Sequence, residues 1–438
     1  MVGMSLTRAE WTVLDRIDED LLVRVTQELV RAPGQNPPGE EAATVAVLAG
    51  AARDLGLDVR TSPVETGRDN LSVRLSGGDA PGLLLLGHTD VVPVGDGWTV
   101  DPYGGLLRDG RIYGRGASDM KGGLAAALAA LAALRGTSLN GPVDLAAVVD
   151  EEETGKGIRA YIASTLQPPV DNSSPTNAHT DRLEAERTGA EHYSPNAITQ
   201  QARRASRQYV GCITAEPTDL QTIIAARGDS YLQVSVHGRA SHAGNPDGGA
   251  NAIYGAAAVV AEIERLHKEL AAAPHPLLGP ATWSVGQING GTGGSIVPAD
   301  CVVVADRRLL PGESPAEVLA NLEARVASLR LEDRGLTVEL SMPMEMPAFE
   351  TSEDHDLVRA TEAARFDAGG PPMPLAGWTA ACDGGYVARD LGVPVVVLGP
   401  GSVTTQAHRA DESVAIAELV TAARAYALIA LRLLGTTG

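Results

Sequence analysis

Apolar residues recur at helical spacing from Thr12 to Arg31 and again from Glu40 to Leu55, separated by the breaker "APGQNPPGEE". Two helices are therefore expected before the first strand. Five shorter apolar runs follow, in "NLSVRLS", "GLLLLGH", "VDLAAVVD", "YVGCITAE" and "PVVVLGP". The Leu83–Leu86 run, with no polar alternation, suits a strand covered on both faces, as in a parallel sheet flanked by helices. An Ala/Leu helix expected from Met120 to Leu134 falls between the second and third runs. The pattern predicts an α/β fold with a mostly parallel, doubly wound catalytic domain.

After Arg227 the pattern changes. "SYLQVSVHGRASH" alternates like a half-buried strand, and a helix is expected from Asn251 to Leu270. The strand-like "WSVGQINGG" and "CVVVADRRLL", a helix near Ala316 to Arg330, and "LTVELSM" complete a compact α+β unit. That unit is expected to span 226–344 as a smaller lid and dimerisation domain, inserted into a discontinuous metal-binding catalytic domain of 1–225 and 345–438. The polar, Pro/Ser/Asn-rich stretch 167–208 reads as a surface insertion, and its His179 and His192 as solvated loop residues.

A chain of 438 residues is longer than one hydrophobic core usually spans, in keeping with two domains. The formal net charge of −20 argues against nucleic acid and anionic membranes as partners, since both require a basic face. Neither a signal-peptide pattern at the N-terminus nor an apolar run long enough to cross a bilayer is evident, so a cytoplasmic protein is expected. Cys212, Cys301 and Cys382 are odd in number and widely spaced, which suits reduced thiols.

Candidate chemistry gathers where the apolar strands end. His88 and Asp90 are two residues apart and so project to the same side, where a carboxylate can hold one ring nitrogen and leave the other for a metal. Asp119 stands at the glycine-rich turn "GRGASDMKGG", where small residues allow close backbone approach. "VDLAAVVDEEE" ends in four consecutive acids, Asp150 to Glu153, which repel one another unless cations neutralise them. Glu216 closes a further strand, and His408 follows the last one. Imidazole and carboxylate donors without cysteine suit Zn²⁺, with Mn²⁺ or Co²⁺ as competitors.

The segments "GHTDVVP", "GRGASDMKGG", "DEEETGKG", "AEPT", "GRASHAGNPDGGANAI", "ADRRLLPGE" and "GPGSVTTQAHRADE" occur in this order from about residue 33 to 415. Together they resemble the dinuclear zinc amidohydrolase and peptidase family that includes acetylornithine deacetylase, succinyl-diaminopimelate desuccinylase, aminoacylase and carboxypeptidase G. The resemblance implies two divalent metal ions per chain, zinc first. Asp119 would bridge them, with His88 and Glu216 completing one site and Glu152 and His408 the other. Asp90 would orient His88, and Glu151 would be the general base that takes a proton from a metal-bridging water. Because the acid run has four members, the base and ligand could instead be Glu152 and Glu153.

The same resemblance implies that His242 reaches into a partner's site to stabilise an oxyanion. It also implies that Arg308 grips a substrate carboxylate, while Arg307 points to the opposite face. Ser295, where the family often has asparagine, and the backbone amides of Gly399 and Gly401 are further candidates for substrate contact. Asp383 in "CDGG" reads as a turn residue. The expected activity is hydrolysis of the amide bond of an N-acyl amino acid, with a metallo-carboxypeptidase or dipeptidase acting on short peptides as the alternative. A non-catalytic metal- or small-molecule-binding homologue is the alternative of another class. A homodimer through the lid domain is expected.

Overall fold

The computed structural model describes residues 6–166 and 208–436, so the insertion expected over 167–208 lies, Gln208 apart, outside the described residues. The expected first helix is two. Asp18 divides it, accepting the N–H of Leu21 (3.1 Å) to cap α2 (Glu19–Arg31) after α1 (Arg8–Leu14). There follow α3 (Ala42–Asp54), β1 (Asp58–Glu65), β2 (Arg68–Leu75), β3 (Gly82–His88), α4 (Gly122–Leu134), β4 (Val143–Val148), α5 (Lys156–Leu166), β5 (Tyr209–Thr214) and β6 (Ile223–Ala226). The next elements are β7 (Gly228–His237), α6 (Ala252–Leu270), β8 (Thr282–Gly290), β9 (Asp300–Leu309), α7 (Pro315–Ser328) and β10 (Thr337–Met346). The chain then adds β11 (Phe349–Glu350), α8 (Asp356–Asp367), β12 (Ala376–Trp378), β13 (Val395–Val397) and α9 (Ile416–Leu434).

The large sheet runs β1-β2-β4-β3-β5-β13-β6-β11, with β12 pairing β6. Its centre, β4-β3-β5-β13, is parallel, and antiparallel pairs close both flanks. Side-chain alternation explains the four leucines of β3: Leu83 and Leu85 face a layer built from α1–α4, α8 and α9, while Leu84 and Leu86 face the opposite layer with Ile158, Tyr161 and Tyr386. Both layers exclude water, so no polar position interrupts the run.

α4 is almost wholly buried. Its alanines leave room for α9 and α2, and a Cβ on Gly123 would stand 2.1 Å from the Ala215 carbonyl oxygen, so only glycine lets the helix start against the end of β5. The 18-residue window Ala117–Leu134 is apolar enough for a bilayer by composition, but its apolarity is used in the core, where 89% of the window is buried. A second, wholly antiparallel sheet, β8-β9-β7-β10, has its own core with α6 and α7 on one face. The protein is thus an α/β sheet domain carrying an inserted α+β unit.

Candidate metal centre

The parallel strands deliver their last residues to one edge. His88 ends β3, Asp150 to Glu153 follow β4 by two residues, and Glu216 follows β5 by two. Asp119 comes from the turn before α4 and His408 from the loop after β13. Their donor atoms converge. His88 Nε2 lies 3.3 Å from Asp119 Oδ1 and 3.8 Å from Glu216 Oε1, while His408 Nε2 lies 3.4 Å from Asp119 Oδ2 and 3.2 Å from Glu152 Oε2. Asp119 therefore stands between the two imidazoles, one oxygen toward each. Among the described residues, His88, Asp119 and Glu152 offer donor atoms that all lie within 4.8 Å of one another.

Buried supports aim these groups. The Asp90 carboxylate accepts the N–H groups of Glu151 (3.2 Å) and Glu152 (3.1 Å) and the Asn36 amide (2.9 Å), so it holds the acid turn. His88 Nδ1 meets the Asp90 carbonyl oxygen at 2.9 Å, with the carboxylate farther off at 3.6 Å. The first of the four acids is structural: Asp150 accepts from Asn36 (3.1 Å), Arg68 (2.9 Å) and Thr154. Glu152 joins the cluster and Glu153 is exposed. Glu412, buried, accepts N–H bonds from Gly116, Ser118 and Asp119 and pairs with Arg115 at 2.7 Å, which fixes the turn presenting Asp119. Asn36, Arg68 and Glu412 escape sequence reasoning, although Glu412 stands four residues after His408, where a support for the same loop could be sought.

Arg68 also bridges Glu41 and Asp150 in the interior, its side chain only 10% exposed. Arg68→Met would leave two buried carboxylates without their cation, so a loss of about 3–5 kcal/mol in urea unfolding of the chelated protein is expected. An unchanged midpoint would show that these charges are solvated.

Crowded acids and imidazoles shift one another's protonation. Burial pushes Glu151 and Glu216 well above the usual carboxylate range, with neighbouring carboxylates adding to it, and burial likewise raises Glu152. For His88 burial works downward, but Glu216, Asp119 and Asp90 outweigh it and raise the ring well above its ordinary value. Asp119 and then Glu152 lift His408 to about 10. Asp119 is held low by the two imidazoles, against its burial.

The donor set fits divalent cations. It contains two imidazoles and three carboxylates with no thiol, and among the described residues Glu152 Oε1 is buried without a hydrogen-bond partner. Burial and crowding favour protons on carboxyls and imidazoles from which cations would displace them. Loading the chelated protein at pH 7 should release about one to three protons per chain, read in a weakly buffered indicator solution. No release would mean the cluster does not ligate.

The other sequence candidates are placed as follows. His242 is exposed on a two-residue strand of the inserted unit, Nδ1 accepting from Gly244 N–H (3.0 Å), and Ser295 is tied to that strand through its carbonyl oxygen and Ala243 N–H (2.9 Å). Arg307 does point away from Arg308, over Trp283 and to Glu313. Arg308 is held by Asp229 and Asp306. Gly399 and Gly401 need correction, because their N–H groups are already spent on Thr218 Oγ1 (3.1 Å) and Glu418 (2.8 Å) and so are not free for a carboxylate. These glycines answer a packing need: a Cβ on Gly401 would fall 2.1 Å from Ser118 Oγ.

A profile of the peptidase family M20/M25/M40 matches residues 84–432. The chain belongs to that family. Among curated relatives, acetylornithine deacetylase of Klebsiella pneumoniae (strain 342) is 32% identical over 378 residues, covering 84% of each chain. Among solved M20 structures, a metallo-carboxypeptidase from Sulfolobus solfataricus superposes with a TM-score of 0.70 at 19% identity over 94% of this chain and 99% of that one. A dinuclear metal-binding peptidase from Bacillus subtilis gives 0.66 at 13% identity over 96% and 99%. This M20 protein is a metal-dependent hydrolase of amide bonds.

Proposed function

We propose that this M20 hydrolase removes the acyl group from an N-acyl amino acid, using two zinc ions per chain. The observation that carries the proposal is the placement of Asp119 between two imidazole–carboxylate pairs, His88 with Glu216 and His408 with Glu152. The deacylase reading within the family is supported by the 32% identity to acetylornithine deacetylase across most of both chains. Bound zinc would acidify water and polarise the amide carbonyl.

The chain's own groups then divide the work. Asp119, with His88 and Glu216 on one side and His408 and Glu152 on the other, would hold the two ions. Glu151, next to Glu152 on the turn fixed by Asp90, takes the proton from the attacking water and passes it to the leaving amine. Arg308 receives the substrate carboxylate. His242 serves a second copy of the chain, for which its exposure on the inserted unit is suitable. A dimer through that unit is further supported by exposed Ile253 and Tyr254 on α6, Ile288 on edge strand β8, and Ile296 on the short strand that pairs with Ser241–His242. Three buried free cysteines agree with a reducing, cytoplasmic setting.

A panel of acetyl-, succinyl- and aminoacyl-amino acids, run with zinc, cobalt and manganese added separately to chelated protein, tests the proposal. Turnover of acetylornithine or another acetyl-amino acid, highest with zinc, is expected. Hydrolysis confined to dipeptides would replace the deacylase with a dipeptidase. No turnover of any acyl-amino acid with any metal would overturn the deacylase proposal.

A further inference from the structure

The inserted unit's open sheet face carries a charge cluster near its junction with the large domain. Asp229 on β7 lies opposite Arg308 on β9, and Tyr231 opposite Asp306. Arg308 Nε and Nη2 reach Asp306 at 3.1 and 3.0 Å, and Nη2 also reaches Asp229 Oδ2 at 3.1 Å. Among the described residues its Nη1 has no partner, and its side chain remains 30% exposed. Asp229 is 6% exposed, and its Oδ1 is buried with no hydrogen-bond partner.

The Tyr231 phenol, on the same side of β7, is raised by burial first and then by Asp229, with Glu153 of the acid turn among the further charges acting on it. The guanidinium available to a substrate carboxylate is therefore already occupied by carboxylates of the chain itself.

We propose that Asp229 is a specificity-determining residue, an internal carboxylate that occupies the Arg308 fork and must be displaced or neutralised before a substrate carboxylate can bind. The inference rests on the reading of Arg308 as the carboxylate receptor. It follows from the geometry: two carboxylates already share one guanidinium, and a third anion cannot enter a largely buried cluster without removing one charge. Asp306 holds Arg308 through two contacts and Asp229 through one, so Asp229 is the one exchanged. The charge is removed by a proton. Burial first, with Asp306 adding and Arg308 opposing, pushes Asp229 up to about 7. The groups that face it are Arg308 and Asp306 from β9, Tyr231 on its own strand and Arg227 just before it; from β10 the residue opposite is the uncharged Met346, flanked by Glu345.

The sign is set by linkage. As pH rises through the range where Asp229 loses its proton, the ionised carboxylate increasingly competes for Arg308, so KM for a carboxylate substrate rises with pH. A substrate whose carboxylate is replaced by a carboxamide feels no such competition.

The test measures KM for N-acetyl-L-ornithine, or whichever N-acyl amino acid of the panel is hydrolysed fastest, and for its α-carboxamide. The zinc-loaded wild type, Asp229→Asn, Asp229→Ser and Arg308→Gln are compared from pH 6 to 8.5. The ratio of the two KM values cancels protonation effects at the metal centre. In the wild type, carboxylate preference should weaken by roughly tenfold across this range. In both Asp229 variants it should be strong and independent of pH. A ratio that does not vary with pH in the wild type and is unchanged in the Asp229 variants overturns the inference. If Arg308→Gln leaves the ratio unchanged, the receptor reading itself falls, a separate failure. Should one Asp229 variant fold poorly, the other and the wild-type pH profile still decide.

Discussion

Glu151→Gln is expected to lower kcat by about 10³- to 10⁴-fold while the protein keeps its full complement of metal. On the proposed function the two readouts separate, because Glu151 acts as the base and Glu152 as a ligand. Glu152 contacts His408, and the backbone N–H groups of both residues are fixed by Asp90, so the substitution leaves the turn and the ligands in place. Glutamine has the same shape and cannot take a proton. Steady-state kinetics with metal analysis on the same sample decides the matter. Activity within tenfold of wild type would remove Glu151 from the proton path. Loss of metal would make it a ligand, and the comparison with Glu152→Gln would then reassign the pair.

Asp119→Asn should be at least as damaging, by a different route. One carboxylate faces both imidazoles, Oδ1 toward His88 and Oδ2 toward His408, and it bears the negative charge between them. An amide retains the shape but offers one neutral oxygen. Metal content should fall from about two ions per chain to about one or fewer, with kcat/KM down by about 10³-fold or more. Because Glu412 holds the turn through backbone N–H groups, the fold should survive. Retention of both ions at wild-type affinity would show that Asp119 does not bridge.

These two residues were legible in different ways. His88, the Asp150–Glu153 run and Glu216 could be seen as chemistry because each interrupts or ends an apolar strand, and in a parallel sheet the strand ends share an edge. Asp119 and His408 lie in loops, so the glycine-rich turn and the position after the last strand marked them only as candidates, and the likeness of whole motifs to a known family gave them their roles. The supports were not legible. Asn36 lies inside a proline-rich breaker and Arg68 at the start of a strand, and neither spacing nor periodicity says that they meet Asp90 and Asp150 across 54 and 82 residues of chain. Gly399 and Gly401 were misjudged because a sequence cannot tell a free N–H from one already bonded to Thr218 or Glu418.

The inserted unit shows the same division at one position. Alternation along "CVVVADRRLL" put Arg307 and Arg308 on opposite faces, and they are so placed, Arg307 over Trp283 and Arg308 on the open face. That Asp229, 79 residues earlier, sits directly across from Arg308 depends on the pairing register of β7 with β9.

Periodicity by itself marked the central buried strands, most of the long helices and the change of pattern after Arg227, because side-chain alternation and helical repeat are local consequences of backbone geometry. The tertiary structure alone decided which carboxylate meets which imidazole, which amides are spent and which charges cancel. Those outcomes depend on distances of 3 to 4 Å between residues far apart in the chain, and such distances are set by strand order, register and packing against glycine.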